Sequence, residues 1–134
     1  MYRDSHQVSA NQRGRVGATV DVTAALYVIS VAARLVELHP TTLRKYERVG
    51  FLEPSRTPGR TRLYSHADIR RLRQIKRLVE EREINLAGVQ MALDLTALLR
   101  EITSQIDQAS DVDSLRRGLQ APVREVFATL GALD

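Results

Sequence analysis

Apolar positions along the chain become periodic near residue 27. Tyr27, Val28 and Ile29 form a short β-prone run. Ser30 then reads as the N-cap of a helix, with Val31, Leu35 and Leu38 at helical spacing and Ala32 and Ala33 favouring the helical state. His39-Pro40 ends that helix and starts another, because proline lacks the N–H that goes unpaired in a first turn anyway. The second helix is predicted over Thr41 to about Val49. Leu43 and Tyr46 share its inward face, and Gly50 sits where a left-handed residue closes a helix. Two short helices joined by a tight turn predict a helix-turn-helix.

From Phe51 to Tyr64 the helical period is lost. Pro54 and Pro58-Gly59 are turn signals, and Phe51-Leu52 and Leu63-Tyr64 are predicted as short strands around them. A hairpin after a helix-turn-helix is the layout of a winged helix. Ser65-His66-Ala67-Asp68 has the form of a capping box, with Asp in the place of the commoner Glu. It opens a long helix to about Glu83, with Ile69, Leu72, Ile75 and Val79 on one face. Asn85 can cap a fourth, short helix with Leu86, Val89 and Leu93 inward.

Leu95, Leu98, Ile102, Gln105, Ala109 and Val112 then alternate at steps of three and four, and Leu99 and Ile106 widen this seam. Spanning only about two and a half heptads, it fits either the pairing of two chains or a helix packed within one. Helix signals weaken at Gly118 and Pro122, which leaves a turn or two over Val123, Val126, Phe127 and Leu130. The predicted fold class is mainly α: a winged helix-turn-helix with a small β-hairpin wing, followed by a dimerisation helix. The predicted organisation is a disordered tail at 1–25, a winged-helix domain at 26–94, a coiled-coil helix at 95–110 and a C-terminal tail at 111–134.

Composition narrows the functional classes. At 134 residues and 43% apolar, the chain supports one modest core. No apolar run approaches the roughly 18 residues of a membrane span, and the N-terminus lacks the apolar stretch of a signal peptide, so a cytoplasmic protein is expected. Cysteine is absent, which excludes disulfides, thiolate zinc sites and cysteine nucleophiles within this chain. The net charge of +4 is unevenly spread. Residues 30–83 hold thirteen basic and seven acidic residues, whereas residues 84–134 hold four and seven. The basic side is nearly all arginine, suited to bidentate phosphate and guanine contacts. A basic module joined to an acidic segment has the charge pattern of a nucleic-acid binder with a second function.

Catalytic constellations are scarce. His6, His39 and His66 share no metal-ligand spacing. Glu80, Glu81 and Glu83 read as a solvated face, and no phosphate-binding glycine loop is present. Neither enzyme activity, nor a metal, nor a cofactor is expected. The second helix instead turns Thr41, Thr42, Arg44, Lys45 and Arg48 outward. The start of such a helix meets the major groove, where Arg reads guanine and Thr meets phosphates or the thymine methyl. Arg56, Arg60 and Arg62 on the hairpin would track the backbone or the minor groove. Tyr46 and Tyr64 read as core residues whose hydroxyls could touch a phosphate.

Val31-Ala32-Ala33, Thr42-Leu43-Arg44-Lys45-Tyr46-Glu47-Arg48-Val49-Gly50-Phe51, Pro54-Ser55-Arg56 and Arg62-Leu63-Tyr64-Ser65 resemble the MerR family of winged-helix regulators. The likeness runs from about Tyr27 to Leu99. His39 to Arg44 and Asn85-Leu86-Ala87-Gly88-Val89 are most similar to the heat-shock repressors of that family. This resemblance implies a homodimer held by an antiparallel coiled coil, through Leu95, Leu98, Leu99, Ile102, Ile106 and Ala109. It implies repression of chaperone genes from inverted-repeat operators, close to the nucleoid, with the chaperone DnaK as co-repressor. It assigns DNA contacts to Ser30 and Val31, to Thr41, Thr42, Arg44, Lys45 and Tyr46, and to Arg56, Arg62 and Tyr64. Where relatives carry glycine in the wing this chain has Arg60, which can add a contact. Two alternatives stay open: a regulator of the same family that answers another effector or a metabolic partner, and a non-specific architectural DNA binder.

Overall fold

The computed structural model describes residues 24–132. The tail expected at 1–25 therefore lies, but for its last two residues, outside the described residues. Strand β1 (Ala25–Val28) leads directly into helix α1 (Ile29–Val36) and, after three residues, α2 (Pro40–Arg48). Strands β2 (Ser55–Arg56) and β3 (Arg62–Ser65) follow, then α3 (His66–Lys76), a π-helical turn (Arg77–Glu81), α4 (Leu86–Gln108) and α5 (Val112–Thr129).

Local chemistry sets most of these boundaries. His39 is the N-cap of α2: its Nδ1 accepts from the Thr41 N–H at 3.1 Å, and Pro40 takes the first helical position. Gly50 is left-handed at φ 87°. The capping box at α3 is complete, with Asp68 N–H donating to Ser65 Oγ at 3.1 Å and Ser65 N–H donating to Asp68 Oδ2 at 2.9 Å. Asn85 caps α4 by accepting from Gly88 N–H at 2.8 Å. Among the described residues, three non-glycine residues hold the left-handed region, each beside a joint: Glu37 between α1 and α2, Arg60 in the wing and Glu83 before α4. At the first joint, Lys76 Nζ donates to Val36 O and Glu37 O at 3.2 and 3.3 Å, giving the carbonyl end of α1 a cation.

Several expectations change. Helix α1 begins at Ile29 with Val28 as N-cap and no side-chain cap, so Ser30 is a first-turn residue. The buried face of α1 is Ala32, Ala33 and Val36, while Val31 and Leu35 are 37% and 43% exposed. Small alanines let α1 approach its neighbours closely, and that outweighs the larger apolar residues. Phe51 and Leu52 are not a strand: they are buried, with Phe51 5.9 Å from Tyr46 between ring centroids. Leu63-Tyr64 lies within β3 as expected, its partner in the wing is β2 rather than Phe51-Leu52, and β1 completes an antiparallel sheet in the order β1-β3-β2. Val28 and Ser55 both stand opposite Leu63.

One core unites these parts. It holds Ala32, Ala33 and Val36 of α1, Leu43 and Tyr46 of α2, Phe51, Leu52 and Tyr64, the α3 stripe Ile69, Leu72 and Ile75, and Val89 and Leu93 of α4. The largest change is at the C-terminus. Instead of a short helix and a separate seam, α4 is a continuous 23-residue helix and α5 an 18-residue one. The helices pack against each other, and α5 runs through both Gly118 and Pro122. Asp111 caps α5 by accepting from Ser114 N–H at 2.7 Å. Gly118 lies against the Gln105 side chain, where a Cβ would collide with the amide oxygen, and Pro122 is buried. Both apparent helix breakers are thus used in packing. Among the described residues, no helix is long and apolar enough to cross a membrane.

Candidate nucleic-acid interface

Helix α2 presents one charged face. Thr41, Arg44, Lys45 and Arg48 recur at steps of three and four and are all exposed, while Thr42 is half-buried. Leu43 and Tyr46 point the other way into the core. Ser30 and Val31, in the first turn of α1, are also exposed. With no side chain capping that turn, its N–H groups are open to an anion.

The wing is fastened to α2 by a residue that sequence reasoning passed over. Glu47 accepts from Arg56 Nη2 at 2.8 Å through one carboxylate oxygen and from Arg62 Nε through the other. Its side chain is only 18% exposed. The available signal was modest: Glu47 is the single acid in a helix otherwise rich in Thr, Arg and Lys. Arg56 Nη1 also donates to Arg60 O at 3.2 Å, which braces the wing tip. The tip itself is a tight turn, with Arg60 N–H donating to Thr57 O at 2.8 Å and Thr57 N–H to Thr61 O at 2.9 Å. Left-handed Arg60 leaves its guanidinium exposed there. Arg56 and Arg62 are therefore partly neutralised within the fold, whereas Arg44, Lys45, Arg48 and Arg60 form no ion pair among the described residues.

The two tyrosines do not reach this surface. Tyr64 is fully buried and Tyr46 nearly so. The Tyr64 hydroxyl is buried with no hydrogen-bond partner among the described residues. Burial pushes its pKa up, Glu47 and Asp68 push the same way, and Arg62 and Arg44 partly offset them. Burial raises Tyr46 as well, helped by Glu80. Both side chains pack in the core.

The seam residues divide into two sets. Leu95, Leu98, Ile102, Gln105 and Ala109 are half-buried, whereas Leu99 and Ile106 are exposed. Among the described residues, no group of three or more His, Asp or Glu could hold a metal ion.

A helix pair with an exposed basic second helix, and a small wing locked beside it, define a winged helix-turn-helix DNA-binding domain. Residues 27–96 match the family model described as MerR HTH family regulatory protein. A protein of Streptomyces coelicolor with the provisional name heat shock protein HspR is 48% identical over 107 residues, covering 80% of this chain and 69% of that one. The transcriptional regulator MlrA of Escherichia coli is 43% identical over 70 residues, 52% of this chain and 28% of its own. The transcriptional regulator GlnR of Bacillus anthracis is 34% identical over 71 residues, about half of each chain. Among solved structures, HiNmlR, a MerR family regulator lacking the sensor domain and bound to promoter DNA, aligns over 78% of this chain and 73% of its own. That alignment has a TM-score of 0.48 at 16% identity. The chain belongs to the MerR HTH family and is a transcriptional regulator of that family.

Proposed function

We propose that this protein is a sequence-specific repressor of heat-shock genes that binds inverted-repeat operators as a homodimer. The observation that carries the reading is the exposed Thr41, Arg44, Lys45 and Arg48 face of α2, with the wing held beside it by Glu47. The relative named for heat shock, similar over most of both chains, supports the assignment to chaperone genes. Arg44 and Lys45 reach base edges or nearby phosphates, and Thr41 and Thr42 meet phosphates or the thymine methyl. Ser30 and the first turn of α1 take a phosphate, Val31 packs at the same edge, and Arg60 follows the backbone from the wing. Arg56 and Arg62 contribute after exchanging part of their contact with Glu47 for phosphate.

Exposed Leu99 and Ile106 support pairing of α4 with a second copy, with Leu95, Leu98, Ile102 and Ala109 beneath them. A symmetric dimer calls for an inverted repeat with spacing fixed by that pairing. The chaperone DnaK acts as co-repressor in this scheme, and heat relieves repression by drawing it away. The protein works in the cytoplasm, at the nucleoid.

Fluorescence anisotropy tests the reading. One duplex carries the inverted repeat upstream of the host's chaperone operon, and the other is scrambled. Each is titrated at two salt concentrations, with and without DnaK. Tight, salt-sensitive preference for the repeat, sharpened by DnaK, is expected. Equal weak binding to both duplexes removes the sequence-specific reading in favour of an architectural one. Specific binding that ignores DnaK redirects the search to another effector.

A further inference from the structure

Helices α3 and α4 enclose a cleft of about 210 Å³ on the side of α3 away from its buried stripe. Arg70, Arg71 and Arg100 line it over a floor of Leu93 and Ala97. Arg73 and Arg77 meet Arg70 and Arg100 in an adjoining hollow. Beneath them Gln74 Nε2 donates to Thr96 Oγ1 at 2.8 Å, and Thr96 Oγ1 donates to Ala92 O at 2.8 Å, so the two helices are tied at this level. None of the five arginines forms an ion pair among the described residues. The acid on the cleft wall, Asp68, is committed to the α3 capping box. Guanidinium groups gathered this way repel one another and favour an anionic counterpart.

At Thr96 and Arg100 the cleft runs into a groove along α4 lined by Leu99, Thr103, Ser104 and Asp107. Followed along α4, the surface passes from the arginines to an apolar strip and then to an acidic end. Leu99 and Ile106, 56% and 52% exposed, form the strip. Asp107, Asp111 and Asp113 form the end, at the turn into α5. Such a surface complements itself about a two-fold axis. Antiparallel pairing sets basic against acidic at both ends, whereas parallel pairing sets like against like. With Leu99 level with the partner's Ile106, Thr96 comes level with the partner's Ala109. The partner's acidic turn then lies over the arginine cleft.

We propose that the arginine cleft between α3 and α4 is the seat of the acidic α4–α5 turn of a second copy of this chain. The partner's Asp107 and Asp113 pair with Arg70, Arg73, Arg77 and Arg100. This rests on the dimer reading above and adds to it a site outside the apolar seam. Because α3 belongs to the DNA-binding half, the contact joins that half of one copy to the helical hairpin of the other. The two-fold makes two such contacts per dimer.

Charge exchange in the full-length chain tests the site. One variant carries Arg70→Glu and Arg100→Glu, and the other Asp107→Arg and Asp113→Arg. Asp111 is left in place because it caps α5. Circular dichroism confirms that each variant folds, and sedimentation equilibrium reads self-association. Alone, each variant has two mismatched clefts, and its dimer Kd is expected to rise about tenfold or more. Mixed one to one, the two variants match at both clefts, and near wild-type affinity returns in the heterodimer. If the wild-type chain stays monomeric throughout, the dimer reading fails and the cleft assignment with it. A wild-type dimer with unaffected variants, or with no recovery on mixing, overturns the cleft assignment and leaves the dimer standing. Loss of DNA affinity in the arginine variant with dimerisation unchanged reassigns the cleft to DNA phosphates.

Discussion

Single side chains on the DNA-binding half separate into those that meet solvent and those that hold the fold, and type alone does not sort them. Arg44 is exposed and forms no ion pair among the described residues. Arg44→Ala is expected to weaken operator binding by about 1–3 kcal/mol and to relax sequence choice. Equal losses on operator and scrambled duplex would place Arg44 on phosphate instead. Tyr64 is the opposite case, a core residue with an orphaned hydroxyl. Tyr64→Phe is expected to raise stability by up to about 1 kcal/mol in urea melts and to leave operator affinity unchanged. The sign of its pH effect follows from its raised pKa. Above the ordinary tyrosine pKa of about 10, the unfolded chain loses the proton before the folded one. Stability therefore falls as pH rises through that region, and Tyr64→Phe is expected to fall less. An equally steep decline in the variant would assign the effect to Tyr46 or elsewhere. The sequence shows both tyrosines as apolar-face residues, but no spacing tells whether a hydroxyl reaches the surface. That depends on how β3 packs against α1 and α3.

At the level of elements, Glu47 and Gly88 each hold two segments together. Glu47→Ala removes the carboxylate partner of Arg56 and Arg62 and is expected to cost about 1 kcal/mol, modest because Arg56 is partly exposed. Thermal melts check the stability, and operator discrimination should narrow as the wing loosens. Unchanged melting and discrimination would mean that the wing holds its place without this acid. Gly88 lies in the stretch that set this chain apart within its family. A Cβ there would stand 2.5 Å from Ile84 Cγ2. Gly88→Ala, despite alanine's better helix propensity, is expected to destabilise by roughly 1–3 kcal/mol in chemical denaturation. A neutral result would show that Ile84 moves aside freely. Most helix starts were legible from sequence because they are set locally: Pro40, Ser65 to Asp68, and Asn85 act within three residues, whereas Ser30, read as a cap, falls inside the first turn of α1. In the wing, Leu63-Tyr64 was legible and lies within β3, but β2 and the full length of α5 were not. β2 is defined by its pairing with β3 across the turn, and Phe51-Leu52 are apolar for the core's sake. Gly118 and Pro122 read as breakers because nothing nearby in sequence reveals Gln105 as the neighbour that makes glycine necessary.

Taken whole, the molecule joins a winged-helix half to a two-helix hairpin through α4. The basic half was legible from charge and periodicity, and the helix-turn-helix with it. The seam left two readings open, and the fold accommodates part of each: half-buried positions beneath, exposed Leu99 and Ile106 above. Global stability has a further lever in the left-handed joints at Glu37, Arg60 and Glu83. A side chain in that region costs about 1–2 kcal/mol, part of which glycine returns as unfolded-chain entropy. Glu37→Gly and Glu83→Gly are each expected to gain about 0.5–1 kcal/mol, or a few degrees in Tm by calorimetry. A lower Tm in either variant would show that its carboxylate contributes more than its backbone costs. Neither residue belongs to the recognition face. The temperature at which the DNA-binding half melts can thus be set at its hinges, by a margin of several degrees, without altering what it reads.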